Sequence, residues 1–195
     1  MVKKISMKDL TKKWNTRWQF DPLSVPVRVA YPELWVRFHT LPKSKRYPEK
    51  PTEYETILHR HNTLLSELKP EGKIIVLTSE WSNADNDSRL MNASVDKGAH
   101  LWMTILENAD EDETGTRSYR YVYASQKKWH SNVVDNILRA VADDTITGVY
   151  LAPEDLRWLY KPYDGGVDIV CANNAQRNEL KEKYRDWLSP RRDGL

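Results

Sequence analysis

Apolar positions along the chain repeat with two periods, and each period names a type of element. Leu10, Trp14 and Trp18 recur four apart behind Ser6, which predicts a helix ending before Asp21-Pro22. Tyr54, Ile57, Leu58, His61, Leu65 and Leu68 form a longer stripe at helical spacing. Thr52-Glu53-Tyr54-Glu55 in front of it reads as a capping box, with Thr52 accepting from a first-turn amide and Glu55 reaching back. Pro70-Glu71-Gly72 stops that helix. A third stripe, Ile137, Leu138 and Val141, follows Ser131 as a cap. A fourth, Leu180, Tyr184, Trp187 and Leu188, follows Asn173 or Asn174 and ends at Ser189-Pro190.

Between these stripes lie segments with strand character. Leu34 to Thr40 alternates, so Trp35, Arg37 and His39 share one face while Val36 and Phe38 take the other. Lys73 to Thr78 and His100 to Leu106 are apolar on both faces, which predicts strands buried within a sheet. Ser118 to Ser125 sets Tyr119, Tyr121 and Tyr123 on one face, and Ile146 to Ala152 is a further strand. Pro153-Glu154-Asp155-Leu156 reads as a short helical turn. Trp158 to Cys171 reads as a hairpin around Asp164-Gly165-Gly166, the composition favoured by a type I′ turn. Residues 21–32, with Pro22, Pro26 and Pro32, read as an extended connection, and Pro42 to Pro51 as a basic loop. Residues 80–98 show no period, and Glu107 to Gly115 is an acidic loop. This order predicts an α+β fold: a single domain over residues 1–195, mostly antiparallel sheet with helices packed on one face, residues 1–20 forming an N-terminal helical arm.

Composition narrows the function classes. A length of 195 residues suits one domain, and 39% hydrophobic residues can build its core. Net charge is +2, too balanced for a protein that coats nucleic acid. Residues 1–50 carry 12 basic and 4 acidic side chains, while the remainder carries 18 and 24, so the N-terminal quarter is basic. Cys171 is the sole cysteine, so an internal disulfide and a cysteine-built metal site are both excluded. The charged N-terminus lacks a signal-peptide core, and Ile74-Ile75-Val76-Leu77 is the longest aliphatic run. The expected location is therefore cytoplasmic, with no membrane segment, and the sequons at Asn86 and Asn92 carry no meaning there. The 8 Trp and 10 Tyr can serve both a core and a recognition surface, with the core role favoured.

The strongest chemical candidate is the segment from Arg37 to Tyr47. A strand face bearing Arg37 and His39 feeds a loop with Lys43, Lys45, Arg46 and Tyr47, which can gather an anion, phosphate most naturally. His39 is the one candidate there for acid/base work. The competing structural role is that Arg37 pairs with a carboxylate and the loop is simply solvated. Tyr163, Asp164 and Asp168 around the glycine turn form a second group able to line a small-molecule pocket. His59 and His61 stand two apart on a helix, about 200° around its axis, and cannot chelate one ion. His61 reads as a buried, hydrogen-bonded histidine and Cys171 as an inert buried thiol. Asp85-Asn86-Asp87 lacks the glycine and ligand pattern of a calcium loop. No HExxH, GxSxG or G-x-G phosphate loop occurs, so neither a metal nor a cofactor is expected.

Two strings carry a resemblance. Arg37-Phe38-His39-Thr40-Leu41-Pro42-Lys43-Ser44-Lys45-Arg46-Tyr47-Pro48 is one. Tyr163-Asp164-Gly165-Gly166-Val167-Asp168, followed by Asp186-Trp187-Leu188-Ser189 and the terminal Gly194-Leu195, is the other. The chain resembles, over nearly its whole length, a group of small uncharacterised bacterial proteins. That resemblance implies a bacterial cytosolic protein and transfers no activity, cofactor or site.

Two functions are expected from these features. The first is a non-enzymatic module that binds a macromolecular partner, immunity-like or regulatory, through exposed aromatics among Trp14, Trp18, Trp35, Tyr119, Tyr121 and Tyr123. The second is binding of phosphate or nucleic acid, extending to metal-independent phosphate-ester chemistry, by the Arg37–Tyr47 segment.

Overall fold

A computed structural model describes residues 6–83, 95–107, 117–191 and 194. The described strands are β1 (Trp35–His39), β2 (Lys73–Ser82), β3 (His100–Leu106), β4 (Tyr119–Lys128), β5 (Val149–Pro153), β6 (Leu159–Tyr163) and β7 (Gly166–Val170). They form one sheet in the order β1-β7-β6-β5-β2-β4-β3, with every neighbouring pair antiparallel. The helices are α1 (Met7–Arg17), α2 (Val27–Ala30), α3 (Pro51–Glu67), α4 (Asp135–Ala142) and α5 (Asn174–Lys183). This is the α+β single domain with an antiparallel sheet that the periodicities predict.

The stripes decide which helix packs where. Leu58, Leu64 and Leu65 of α3, Ile137, Leu138 and Val141 of α4, and Leu180 of α5 join Val36, Phe38, Val76, Leu151 and Ile169 in one core. These three helices cover one face of the sheet. The N-terminal segment adds a layer on the other. Leu10 and Trp14 of α1, with Trp18 and with Val27 of α2, pack on Ile75, Leu77, Tyr150, Leu159 and Val170. Trp14 stacks on Tyr150 at 6.4 Å between centroids, and Trp102 Nε1 donates to Thr11 Oγ1 at 2.9 Å. Burying a Trp ring removes roughly 200 Å² of surface from water, of order 3–5 kcal/mol as an upper bound.

Several local expectations shift. Ser6 caps α1 as expected, accepting from the Asp9 amide at 3.0 Å. The start of α3 lies earlier than the Thr52 box: Lys50 occupies the cap and Pro51 the first position. Glu53, rather than Glu55, reaches back, accepting from the amides of Lys50 at 3.2 Å and Glu49 at 2.6 Å. The connection over 21–32 contains the single turn α2. Among the described residues β3 is the last strand of the sheet, paired only with β4, and Trp102 is its one buried residue. The hairpin turn is not type I′, since neither Asp164 nor Gly165 has positive φ. Glycine is needed instead at 166, where an added Cβ would lie 2.1 Å from the Phe38 carbonyl oxygen. The calcium-like segment at Asp85, both sequons and most of the acidic loop after Glu107 lie outside the described residues.

Candidate functional site

Strand alternation puts Trp35, Arg37 and His39 on the face that α1 covers in part. Antiparallel pairing then sets Arg37 of β1 opposite Asp168 of β7, and Asp168 opposite Lys161 of β6. A row Arg37–Asp168–Lys161 thus crosses three strands at one level. Arg37 closes on Asp168 with both forks, Nε to Oδ1 at 2.7 Å and Nη2 to Oδ2 at 2.8 Å. The Trp35 indole N–H donates to Oδ1 at 2.9 Å. The guanidinium also sits 4.8 Å over the Tyr163 ring. Asp168 is buried, and these three donors make that burial tolerable.

The loop cations find carboxylates as well. Arg46 Nε meets Asp164 Oδ2 at 2.5 Å in the hairpin turn. Tyr47 hydrogen-bonds the same carboxylate, which with the negative charge raises its phenol above the ordinary range. Lys45 bridges Glu53 at 2.7 Å and Glu49 at 3.3 Å, and its ammonium is held in the charged form first by the Glu53 bond. The two sequence groups, Arg37 to Tyr47 and Tyr163 to Asp168, are therefore one constellation joined by paired charges. Arg37 in particular takes the structural role of a carboxylate partner.

His39 stands apart from the Arg37 pair. It opens on a cleft of about 440 Å³ shared with Lys43, Asp186 and Trp187. Its Nε2 is buried with no hydrogen-bond partner among the described residues. Burial lowers its pKa; a hydrogen bond to the Gly165 carbonyl opposes this, and Arg37 and Arg60 add to the lowering. Arg37 and Arg46 do not line that cleft, so the expected convergence of Arg37, His39 and Arg46 is not formed.

Lys161 was missed by sequence reasoning. It lines a cleft of about 300 Å³ together with Arg46, Arg120, Tyr163, Asp164 and Trp81. Asp144 adds a second carboxylate to this lining. Arg120 is engaged: it pairs with Glu107, donates to the Leu23 carbonyl and lies 4.3 Å over the Trp81 ring. Lys161 makes no hydrogen bond and no ion pair among the described residues. Its Nζ lies 5.8 Å from the Tyr150 ring, whose buried hydroxyl has no hydrogen-bond partner among the described residues. Burial lowers the Lys161 pKa, Asp168 opposes, and Arg120 and Arg37 add to the lowering. A signal was available: counting back from the Tyr163–Gly166 pair places Lys161 opposite Asp168.

The aromatics expected at a recognition surface are mostly core. Trp14, Trp18, Tyr121 and Tyr123 are buried, and Trp35 and Tyr119 are half-buried. Cys171 is buried and its thiol is pushed up to about 12 by desolvation, so it is no ready nucleophile. Among the described residues no helix is long and apolar enough to cross a membrane, and no group of three or more His, Cys, Asp or Glu could hold a metal.

The fold and its clefts define a small α+β protein whose seven-stranded antiparallel sheet presents a charged, partly covered face. The chain belongs to the DUF3885 family, a domain of unknown function, which matches residues 26–192. The match includes both strings noted above except the terminal Gly194-Leu195, and leaves α1 outside. No curated protein and no solved structure matches the chain.

Proposed function

We propose that this protein is a non-enzymatic binding module for a small anionic ligand, a carboxylate or phosphate group, taken up in the cleft over Lys161. The observation behind the reading is the unpaired ammonium. Arg37, Lys45 and Arg46 each hold a carboxylate, whereas Lys161 faces a cleft with no counter-charge bonded to it. A half-buried cation without a partner carries a desolvation cost that an incoming anion offsets. Arg46 and Arg120 on the same wall add positive potential. The reading moves the anion site from the Arg37–Tyr47 segment to β6, two strands from β1 in the sheet, with Arg46 the one residue common to both. The macromolecule-binding reading has less support, because its aromatic patch lies largely in the core.

The test is thermal unfolding of the wild type and Lys161→Met with added inorganic phosphate or acetate. Phosphate or acetate raises the wild-type midpoint, and raises it less at high salt. Lys161→Met, similar in volume but uncharged, weakens the affinity by about tenfold or more. Equal shifts in the two proteins sink the proposal.

A further inference from the structure

We infer that Lys161 is a point of covalent capture for a small α-keto acid, forming an imine through its side-chain nitrogen while the adjoining cations hold the carboxylate. The inference rests on the anion-binding reading of the same cleft and adds the chemical class of the ligand. The geometry supplies three requirements. The amine is accessible, because Lys161 is only half-buried and lines an open cleft. It is uncommitted, because no carboxylate binds it among the described residues. It stands beside groups suited to the rest of such a ligand: Arg46 and Arg120 line the same cleft, each paired to a carboxylate through Nε but carrying further guanidinium N–H donors, and the Tyr163 and Trp81 rings form its walls.

The chemistry balances without a further reagent. The ammonium first releases one proton to solvent. The nitrogen lone pair then forms the C–N bond at the ketone carbon, and the carbonyl oxygen leaves as water with the two remaining nitrogen protons. No electron is gained or lost. The neutral amine required for attack is favoured by burial, with Arg120 and Arg37 acting in the same direction and Asp168 against it. A volume of about 300 Å³ accommodates a small keto acid.

The experiment is reductive trapping. The full chain is incubated near neutral pH with pyruvate and cyanoborohydride, digested, and every lysine is scored by tandem mass spectrometry. The expected result is one reduced adduct, on Lys161, at about tenfold or more above any surface lysine. Excess inorganic phosphate suppresses it. Lys161→Arg keeps a positive charge but has no amine able to form an imine, so it loses the adduct. Labelling spread evenly over surface lysines, or absent from Lys161, overturns the inference. If phosphate still stabilises the wild type in that case, anion binding stands and only covalent capture fails. A Lys161 adduct in a protein that phosphate and acetate do not stabilise would sink the anion reading and leave the imine.

Discussion

The buried histidine of α3 links the core to pH. His61 is 1% exposed, and its Nδ1 lies 2.6 Å from the Tyr160 hydroxyl of β6. Burial alone pushes its pKa from 6.5 down to about 3. The folded chain therefore holds a neutral imidazole where the unfolded chain binds a proton. Stability from this group is complete above pH 6.5 and falls as pH drops from 6.5 toward about 3. The slope approaches 1.4 kcal/mol per pH unit, so between about pH 7 and about pH 5 the loss is roughly 2 kcal/mol. His39, also lowered by burial, contributes in the same sense, so the assay must isolate His61. Urea unfolding of the wild type and His61→Gln at both pH values does this. The variant is less stable throughout, by about 1–3 kcal/mol, because the buried Tyr160 hydroxyl loses its bond to the imidazole. It should nevertheless lose about 2 kcal/mol less than the wild type on acidification. Equal losses in the two proteins would refute a neutral, buried His61.

Other perturbations test the site and its frame. Arg37→Ala removes both guanidinium bonds to the buried Asp168 and should cost about 3 kcal/mol; combining it with Asp168→Ala should cost clearly less than the sum of the single changes. Gly166→Ala drives a methyl group into the Phe38 carbonyl and must part β1 from β7; calorimetry should show a loss above about 3 kcal/mol, and a neutral result would contradict the strand spacing. Cys171 should resist a disulfide reagent in the folded protein at neutral pH and react fully in guanidinium; fast native labelling would contradict its burial.

Local patterns were readable because they depend on neighbours a few residues apart. The α1, α3 and α5 stripes and the shared face of Trp35, Arg37 and His39 follow from periods of 3.6 and 2.0. Burial of His61 and Cys171 followed from the apolar residues around them in sequence. What failed depended on distant partners. His100 to Leu106 carries enough apolar residues for an interior strand, yet the sheet order leaves it at the edge. Asp168 is separated from Arg37 by 131 residues, so periodicity could not name that pair. The hairpin composition located the turn but not its backbone, because the glycine answers to a carbonyl on β1 rather than to the turn.

The same distinction explains why the most visible cations proved the least available. Lys45, Arg46 and Arg37 crowd one segment and so draw attention, but a dense basic run on a fold of near-zero net charge meets carboxylates once the chain closes. Lys161 sits alone between Tyr160 and Pro162, with nothing around it in sequence to mark it. Hairpin register carries it to Asp168, and Arg37 has already taken that carboxylate with both forks and an indole N–H beside it. Pairing elsewhere in the row is thus what leaves the Lys161 nitrogen without a bonded carboxylate among the described residues. Relaxing Asp168, as in Arg37→Ala, should let Lys161 turn to it and close the anion site. Loss of phosphate stabilisation in Arg37→Ala, in a variant whose Arg37 never lined the cleft, would link the row to the site; unchanged stabilisation would show that the two act independently.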